Sequence, residues 1–443
     1  MKKITALIIG AVLALSLVSC NNNSKDMVTV RFLNFKPEIA DVYNDIAKAY
    51  KEETGINLVV DTAANNTYES TLAARMGTSE APTIFQINGP RGYANWSDYC
   101  KDLSNTELYN HLTDKSLAIK VDDKVYGIPY LVEGYGIIYN AEITDKYFAL
   151  TNRQTDVNSM DEINSFDKLS TVAKDMQKHA KDIGIDGVFA ATSLKSGEDW
   201  RWQTHLANVP IYYEFKNGKV DLTGDQTKTI GFDYSQNYKN LFDLYINNST
   251  TDKKLLGSKI VDESMAEFAL GKCAMVQNGN WAWSQINGIS GNTVKEENIK
   301  FLPLYMGIEG ENEQGICIGT ENYICINSKA SEAEQKAAED FLYWLFSSEK
   351  GKQFVTERLD FIAPFDTFSD QEIPTDPLAR EVIAWSKRTD VDSVPWNFTL
   401  FPSQEFKNTF GASLLQYAQG TREWKDVVTD VKDSWKSESS KLK

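Results

Sequence analysis

Between Val28 and Val60 two apolar runs flank an amphipathic helix pattern, and this succession limits the fold more than any other stretch of the chain. Val28 to Phe35 reads as a strand. Pro37-Glu38 then opens a helix whose buried face is Ile39, Tyr43, Ile46 and Tyr50, spaced by four, three and four residues. Thr54-Gly55 stops it, and Ile56 to Val60 is the next strand. Strand, helix and strand in that order predict a parallel pair joined by a right-handed crossover.

The alternation continues with a helix pattern from Ser70 to Met76 and an apolar strand from Thr83 to Ile87, after which Asn88-Gly89-Pro90-Arg91-Gly92 reads as a loop. Tyr234, Tyr238, Leu241 and Tyr245 form one helical stripe. Ala337, Ala338, Phe341, Leu342 and Leu345 form another, behind Ser331-x-x-Glu334 at capping-box spacing. Such stripes are core faces. The predicted class is α/β, with no internal repeat. Ligands of open α/β sheets sit at the carboxyl ends of strands, which makes the loops after Phe35, Val60 and Ile87 binding-site candidates. The Lys- and Ser-rich end from Lys432 to Lys443 reads as a frayed helix end.

At the other end, Lys2 and Lys3 precede an apolar run from Ile4 to Val18. A basic start and a short apolar run describe a secretory signal, since a membrane span needs about 20 apolar residues. The run ends Leu17-Val18-Ser19-Cys20, which resembles the bacterial lipobox, in which the cysteine receives a diacylglyceryl group and becomes the first residue. Residues 1–19 are expected to be removed, Cys20 to carry the lipid, and residues 20–27 to form a polar tether.

The remaining chain of about 420 residues exceeds what one core organises, so two domains are expected. The formal charge is −16, and losing Lys2 and Lys3 leaves 44 basic residues against 62 acidic ones. That surface disfavours nucleic acid, anionic lipid and polyanionic ligands. Cys100, Cys273, Cys317 and Cys325 form no C-x-x-C pair, and His111, His179 and His205 are scattered, so neither a metal nor a cofactor is expected. Buried thiols are the plain reading, with Cys317 and Cys325 near enough in sequence for one bridge.

Several blocks then stand in a recognisable order. Lys51-Glu52-Glu53-Thr54-Gly55-Ile56 is followed by Ala81-Pro82-Thr83-Ile84-Phe85, by Tyr126-Gly127-Ile128-Pro129-Tyr130-Leu131-Val132-Glu133, and by Phe268-Ala269-Leu270-Gly271-Lys272. The most specific is Asn278-Gly279-Asn280-Trp281-Ala282-Trp283-Ser284. Across nearly all of the mature sequence the chain resembles extracellular solute-binding proteins of the maltose-binding type. The resemblance implies a two-lobe periplasmic-binding-protein-like fold with discontinuous lobes and a multi-segment hinge. One lobe would hold residues 28–132 with 319–360, the other 135–317 with 364–443. It further implies capture of a carbohydrate by a monomer held at the cell surface or periplasmic side of the membrane, and delivery to the permease of an ATP-binding-cassette importer, without catalysis.

A sugar offers apolar C–H faces and a rim of hydroxyls, so a site needs aromatic platforms and polar groups. The resemblance places Trp281 at a stacking position, with Gly279 letting the loop approach a ligand and Trp283 packing elsewhere. Trp200 or Trp202 is the second platform, the register between them being soft. Trp396 and Phe401 are third candidates. Glu133, at the first crossing between lobes, is a hydroxyl acceptor or a solvent-facing hinge acid, and Lys36 a donor. Where the maltose-binding type carries an aromatic and an acid after the third strand, this chain has Gln86, Asn88 and Arg91, so that half of the site differs. The rival readings are a secreted glycoside hydrolase, for which no carboxylate pair stands out, and a binder of polyamine, peptide or metal complex.

Overall fold

The computed structural model describes residues 28–63, 67–222 and 224–441; Cys20, the signal segment and the tether lie outside them. Twelve strands form, in chain order, at Thr29–Asn34 (β1), Asn57–Thr62 (β2), Ile84–Asn88 (β3), Ile119–Val121 (β4), Lys124–Pro129 (β5), Glu133–Asn140 (β6), Gly187–Phe189 (β7), Cys273–Gly279 (β8), Ile299–Leu302 (β9), Gln314–Gly319 (β10), Asn322–Ile326 (β11) and Asp392–Val394 (β12) among the described residues. The opening unit folds as its periodicity predicts. β1 and β2 pair in parallel from Thr29–Asn57 to Asn34–Thr62, and the helix Ala40–Thr54 between them buries Tyr43, Ile46 and Tyr50. Gly55 ends that helix at φ +75°, a left-handed conformation that favours glycine, and its N–H donates to the Lys51 carbonyl.

Two sheets result. The first has the order β2-β1-β3-β11-β5-β4, the second β12-β10-β6-β8-β7, with β9 paired to the later half of β6. Side chains alternate faces along each strand. Ile84, Ile324 and Ile326 enter one core of the first sheet, while Phe85, Ile87, Tyr323 and Cys325 enter the other. In the second sheet Tyr135, Ile137 and Tyr139 face one core and Ile138 the opposite one. Each sheet is therefore the middle layer of its own lobe.

The lobes are joined where β5 runs through Tyr130–Val132 into β6, and where β10 runs through Thr320-Glu321 into β11. A later crossing starts near Ile362, which bridges Val132. Phe361, Phe365 and Phe368 still pack with the first sheet, whereas Leu378 and Val382 of the helix Pro377–Ser386 pack on the second.

Three expectations are corrected. The segment after β3 is the helix Gly89–Trp96, not a loop, because Pro90 sits in its first turn, where a missing N–H costs nothing and the fixed φ suits the helix. The plain reading of the cysteines stands, since all four described ones are free and buried, with Cys317 in the second sheet and Cys325 in the first. The chain end is docked: the helix Trp424–Ser439 buries Val431, Trp435 and Ser439. Trp435 packs edge-on against Phe401 and Phe406 and donates its indole N–H to the Thr227 carbonyl at 2.9 Å. Phe401 is accordingly a core residue, 3% exposed, and not a platform. No helix among the described residues is long and apolar enough to cross a membrane.

Replacing a fully buried tryptophan opens a large cavity, so Trp435→Ala is expected to cost about 3–5 kcal/mol. Denaturant unfolding checks this; an unchanged midpoint would mean that the terminal helix is not docked.

Candidate functional site

The loop after β1 is held from within the sheet. Asn34 Nδ2 donates to the Lys36 carbonyl at 2.6 Å and to Thr62 Oγ1 at 3.1 Å, and the Phe35 N–H donates to Gln86 Oε1 at 2.6 Å. Gln86 is thus a brace for this loop. The Lys36 ammonium, so fixed, reaches Glu133 Oε1 at 2.6 Å and Glu38 at 3.5 Å. Glu133 is the first residue of β6, opposite Gly319, so the pair sits where the chain passes from lobe to lobe. It is buried, not solvent-facing. Burial alone would depress the Lys36 ammonium, but the charges of Glu133, Glu38 and Glu321 outweigh it and hold the group above its ordinary value. Burial raises the Glu133 carboxyl, opposed by Lys36. At 2.6 Å the two groups share a buried, hydrogen-bonded contact of opposite charges.

Facing it is an aromatic cluster of the second lobe. The segment after β8 is clamped to β6, since the Gly134 N–H donates to Asn280 Oδ1 at 2.9 Å and the Asn280 N–H to the Gly134 carbonyl at 3.0 Å. Trp281 comes next, and its ring folds back over Gly279, where a Cβ would lie 2.2 Å from the indole. The Gly279 requirement is therefore for Trp281 rather than for approach by a ligand. Lys36 Nζ stands 5.9 Å from the Trp281 ring centre. Trp200 lies 5.9 Å from Trp281, His205 4.8 Å from Trp200, and Trp396 6.5 Å from Trp281. Tyr135 stacks on His205 at 4.4 Å. Trp396 rests on Gly319, where a Cβ would meet it at 2.5 Å.

Trp281 and Trp200 are half-buried, whereas Trp283 and Trp202 are buried in the cores of the second lobe. Trp200 opens an unusual segment: Arg201–Leu206 is wound as π-helical turns ahead of the helix Ala207–Gly218. Pro210 within that helix cannot donate to the Leu206 carbonyl four residues back, and the turns before it are wide. Arg201 and His205 are carried inward by this winding. Burial first, then the charge of Arg201, drives His205 well below its ordinary value, so its ring is neutral.

On the first lobe Asn88 donates to Glu321 Oε2 at 3.4 Å, and Arg91 is half-buried on the helix Gly89–Trp96. That helix touches the second lobe directly: a Cβ on Gly89 would lie 2.8 Å from Thr399 Cβ. Lys36, Glu133, Trp281, Trp200 and Trp396 are thus brought to one seam, with Asn88 and Arg91 on its first-lobe side. His205, Tyr135, Arg201 and Glu321 are the residues that sequence reasoning missed. Buried polar atoms without a partner gather here, namely Trp281 Nε1, Trp396 Nε1, His205 Nδ1, Thr320 Oγ1 and two guanidinium nitrogens of Arg201, and Arg91 Nε on the helix Gly89–Trp96 is another. Native interiors leave few polar groups unpaired. The open grooves around Lys300 and Glu381, of about 480 and 500 Å³, share no residue with the seam.

Two α/β lobes that meet at the ends of their strands, around an aromatic and charged seam, define a two-lobed ligand-binding protein. The chain belongs to the bacterial extracellular solute-binding protein family, whose model matches residues 45–381. Solved structures share the fold at low identity. A chitin oligosaccharide binding protein is 18% identical with a TM-score of 0.67, covering 94% of this chain and 100% of that one. RafE in complex with raffinose is 17% identical, with a TM-score of 0.67 and coverage of 93% and 100%. A sugar transporter protein from Bacillus licheniformis in complex with stachyose is 16% identical, with a TM-score of 0.66 and coverage of 93% and 100%.

Asp199, just before Trp200, is buried against Gly411, and burial pushes its carboxyl up to about 6. A raised carboxyl favours the folded state below the unfolded value near 3.9, and that contribution is lost as pH rises through 6. Between pH 4 and pH 7 the native chain should lose up to about 3 kcal/mol that Asp199→Asn keeps. Parallel pH–stability curves for the two proteins would refute the assignment.

Proposed function

We propose that this chain is the substrate-binding lipoprotein of an ATP-binding-cassette importer, and that it captures an oligosaccharide between its two lobes and hands it on unchanged. The observation that carries the reading is the pair of half-buried indoles, Trp281 and Trp200, beside the Lys36–Glu133 ion pair at the seam. Flat rings suit the C–H faces of a sugar, and the charged and amide groups suit its hydroxyl rim. Family membership supports solute capture, and the carbohydrates named for several structures of the same fold support the ligand class.

In this reading Trp281 and Trp200 are platforms and Trp396 closes the far wall. Glu133 accepts from hydroxyls, Lys36 donates to them, and Asn88 and Arg91 contact the ligand from the first lobe. Cys20 anchors the chain on the outer side of the bacterial membrane, where it meets the permease as a monomer. Intact-mass analysis of protein from its native membrane should find an acylated chain beginning at Cys20. Incubation with a bound oligosaccharide should return it intact; reproducible release of shorter sugars would sink the non-enzymatic reading.

Trp281→Ala should weaken binding by about 10- to 100-fold, the worth of one stacked, buried indole at roughly 1.5–3 kcal/mol. Trp283→Ala should instead lower stability, since that ring is core. Calorimetric titration and thermal unfolding separate the two. Unchanged affinity in Trp281→Ala would move the site elsewhere.

A further inference from the structure

The unpartnered polar atoms at the seam are not an even mixture. Trp281 Nε1 and Trp396 Nε1 can only donate, and so can Arg91 Nε and the Nε and Nη1 of Arg201. Three further groups, Thr320 Oγ1, His205 Nδ1 and the amide of Gln277 on β8 two residues before Gly279, can accept as well as donate, and the five donor-only atoms outnumber them. A donor-only ligand such as a polyamine leaves such a wall unsatisfied, whereas a ligand rich in acceptors completes it.

Charge narrows the class. Arg201 is 1% exposed and makes no ion pair among the described residues. Its guanidinium lies 3.9 Å from the Trp200 ring centre, and Trp200 in turn borders Trp281. Of the carboxylates whose charge it feels, Glu198 already accepts from the Val261 N–H at 2.7 Å. Arg91, on the opposite lobe, has no carboxylate partner among the described residues either. Burial lowers the Arg201 guanidinium to about 9, so it is still charged at neutral pH. A buried cation with free N–H groups is completed in both hydrogen bonding and charge by a carboxylate, which can accept from the Nε–H or the Nη1–H. A hydroxyl completes only the first.

Resting on the carbohydrate reading above, we propose that the preferred ligand is an oligosaccharide carrying one carboxylate, read by Arg201 from the second lobe and Arg91 from the first. Uronates and sialates share this chemistry. The net charge of −16 argues against polyanionic chains, not against a single carboxylate.

The test offers the purified full chain a mixture with internal controls: a glucuronoxylan digest, which holds neutral xylo-oligosaccharides beside the same chains bearing one uronate; sialyllactose beside lactose; and neutral malto- and raffinose-type sugars. After washing, the retained glycans are identified by mass spectrometry. Enrichment of acidic over matched neutral members by about 10-fold or more is expected, the worth of one charge-assisted contact, and the enriched arm tells uronate from sialate. Arg91→Met and Arg201→Met should erase the enrichment, while Trp281→Ala lowers total retention with the acidic-to-neutral ratio unchanged. A retained pool that is neutral, N-acetylated sugars included, overturns this proposal and leaves the carbohydrate reading standing. Retention of no glycan overturns both. If Arg201→Met does not fold, the wild-type pool and Arg91→Met still decide.

Discussion

The buried contact between Lys36 and Glu133 is the point on which the rest of the site depends. It ties the loop after the first strand of one sheet to the first residue of the central strand of the other, at 2.6 Å. Burying two charges is costly, and an ion pair of this kind adds little net stability over a well-packed apolar pair. Removing either partner is another matter, since it strands a charge in the interior. The contact therefore acts as a register mark. With β6 pinned at Glu133, the reciprocal bonds between Gly134 and Asn280 set the height of the segment after β8, and Trp281 is placed by that segment.

The two lobes contribute different chemistry. The second supplies nearly all the rings of the cluster, through β6, the segment after β8, the turns at Arg201–Leu206 and the stretch around Trp396. The first supplies an ammonium, an amide and a guanidinium on short tethers after β1 and β3. A ligand touching both sets favours the closed arrangement only by the contacts it adds across the seam. Gly89 against Thr399 shows how tightly that seam is built, for a Cβ there would lie 2.8 Å from Thr399 Cβ and the neighbouring groups would have to shift.

The parts legible in the sequence were those governed by a regular period or a fixed motif. The opening strand–helix–strand unit, the Ser331–Glu334 capping box and the alternation of a half-buried with a core tryptophan in Trp281–Trp283 all depend on local geometry that recurs. Arg201 and His205 were out of reach for a physical reason. Every residue from Arg201 to Leu206 is buried, and a π-helical turn matches neither a helical nor a strand period. The helix Gly89–Trp96 was hidden by its own start, since Asn-Gly-Pro marks a turn as readily as a first helical turn. The docked chain end was misjudged on composition, where one tryptophan, Trp435, outweighs the surrounding lysines and serines.

Net charge and local charge also answer different questions. The acidic surface sets how the protein meets membranes, polymers and other proteins at distances of a Debye length, about 8 Å at physiological ionic strength. Inside the seam screening is weak, and the groups within contact distance govern the outcome. There Glu133 is already matched to Lys36, whereas Arg201 and Arg91 pair with no carboxylate among the described residues. An acidic chain can therefore present a cation-bearing site without contradiction, because the carboxylates that dominate the total are spread over solvent-exposed faces. The chemistry of capture is set by the few side chains that the fold withdraws from water.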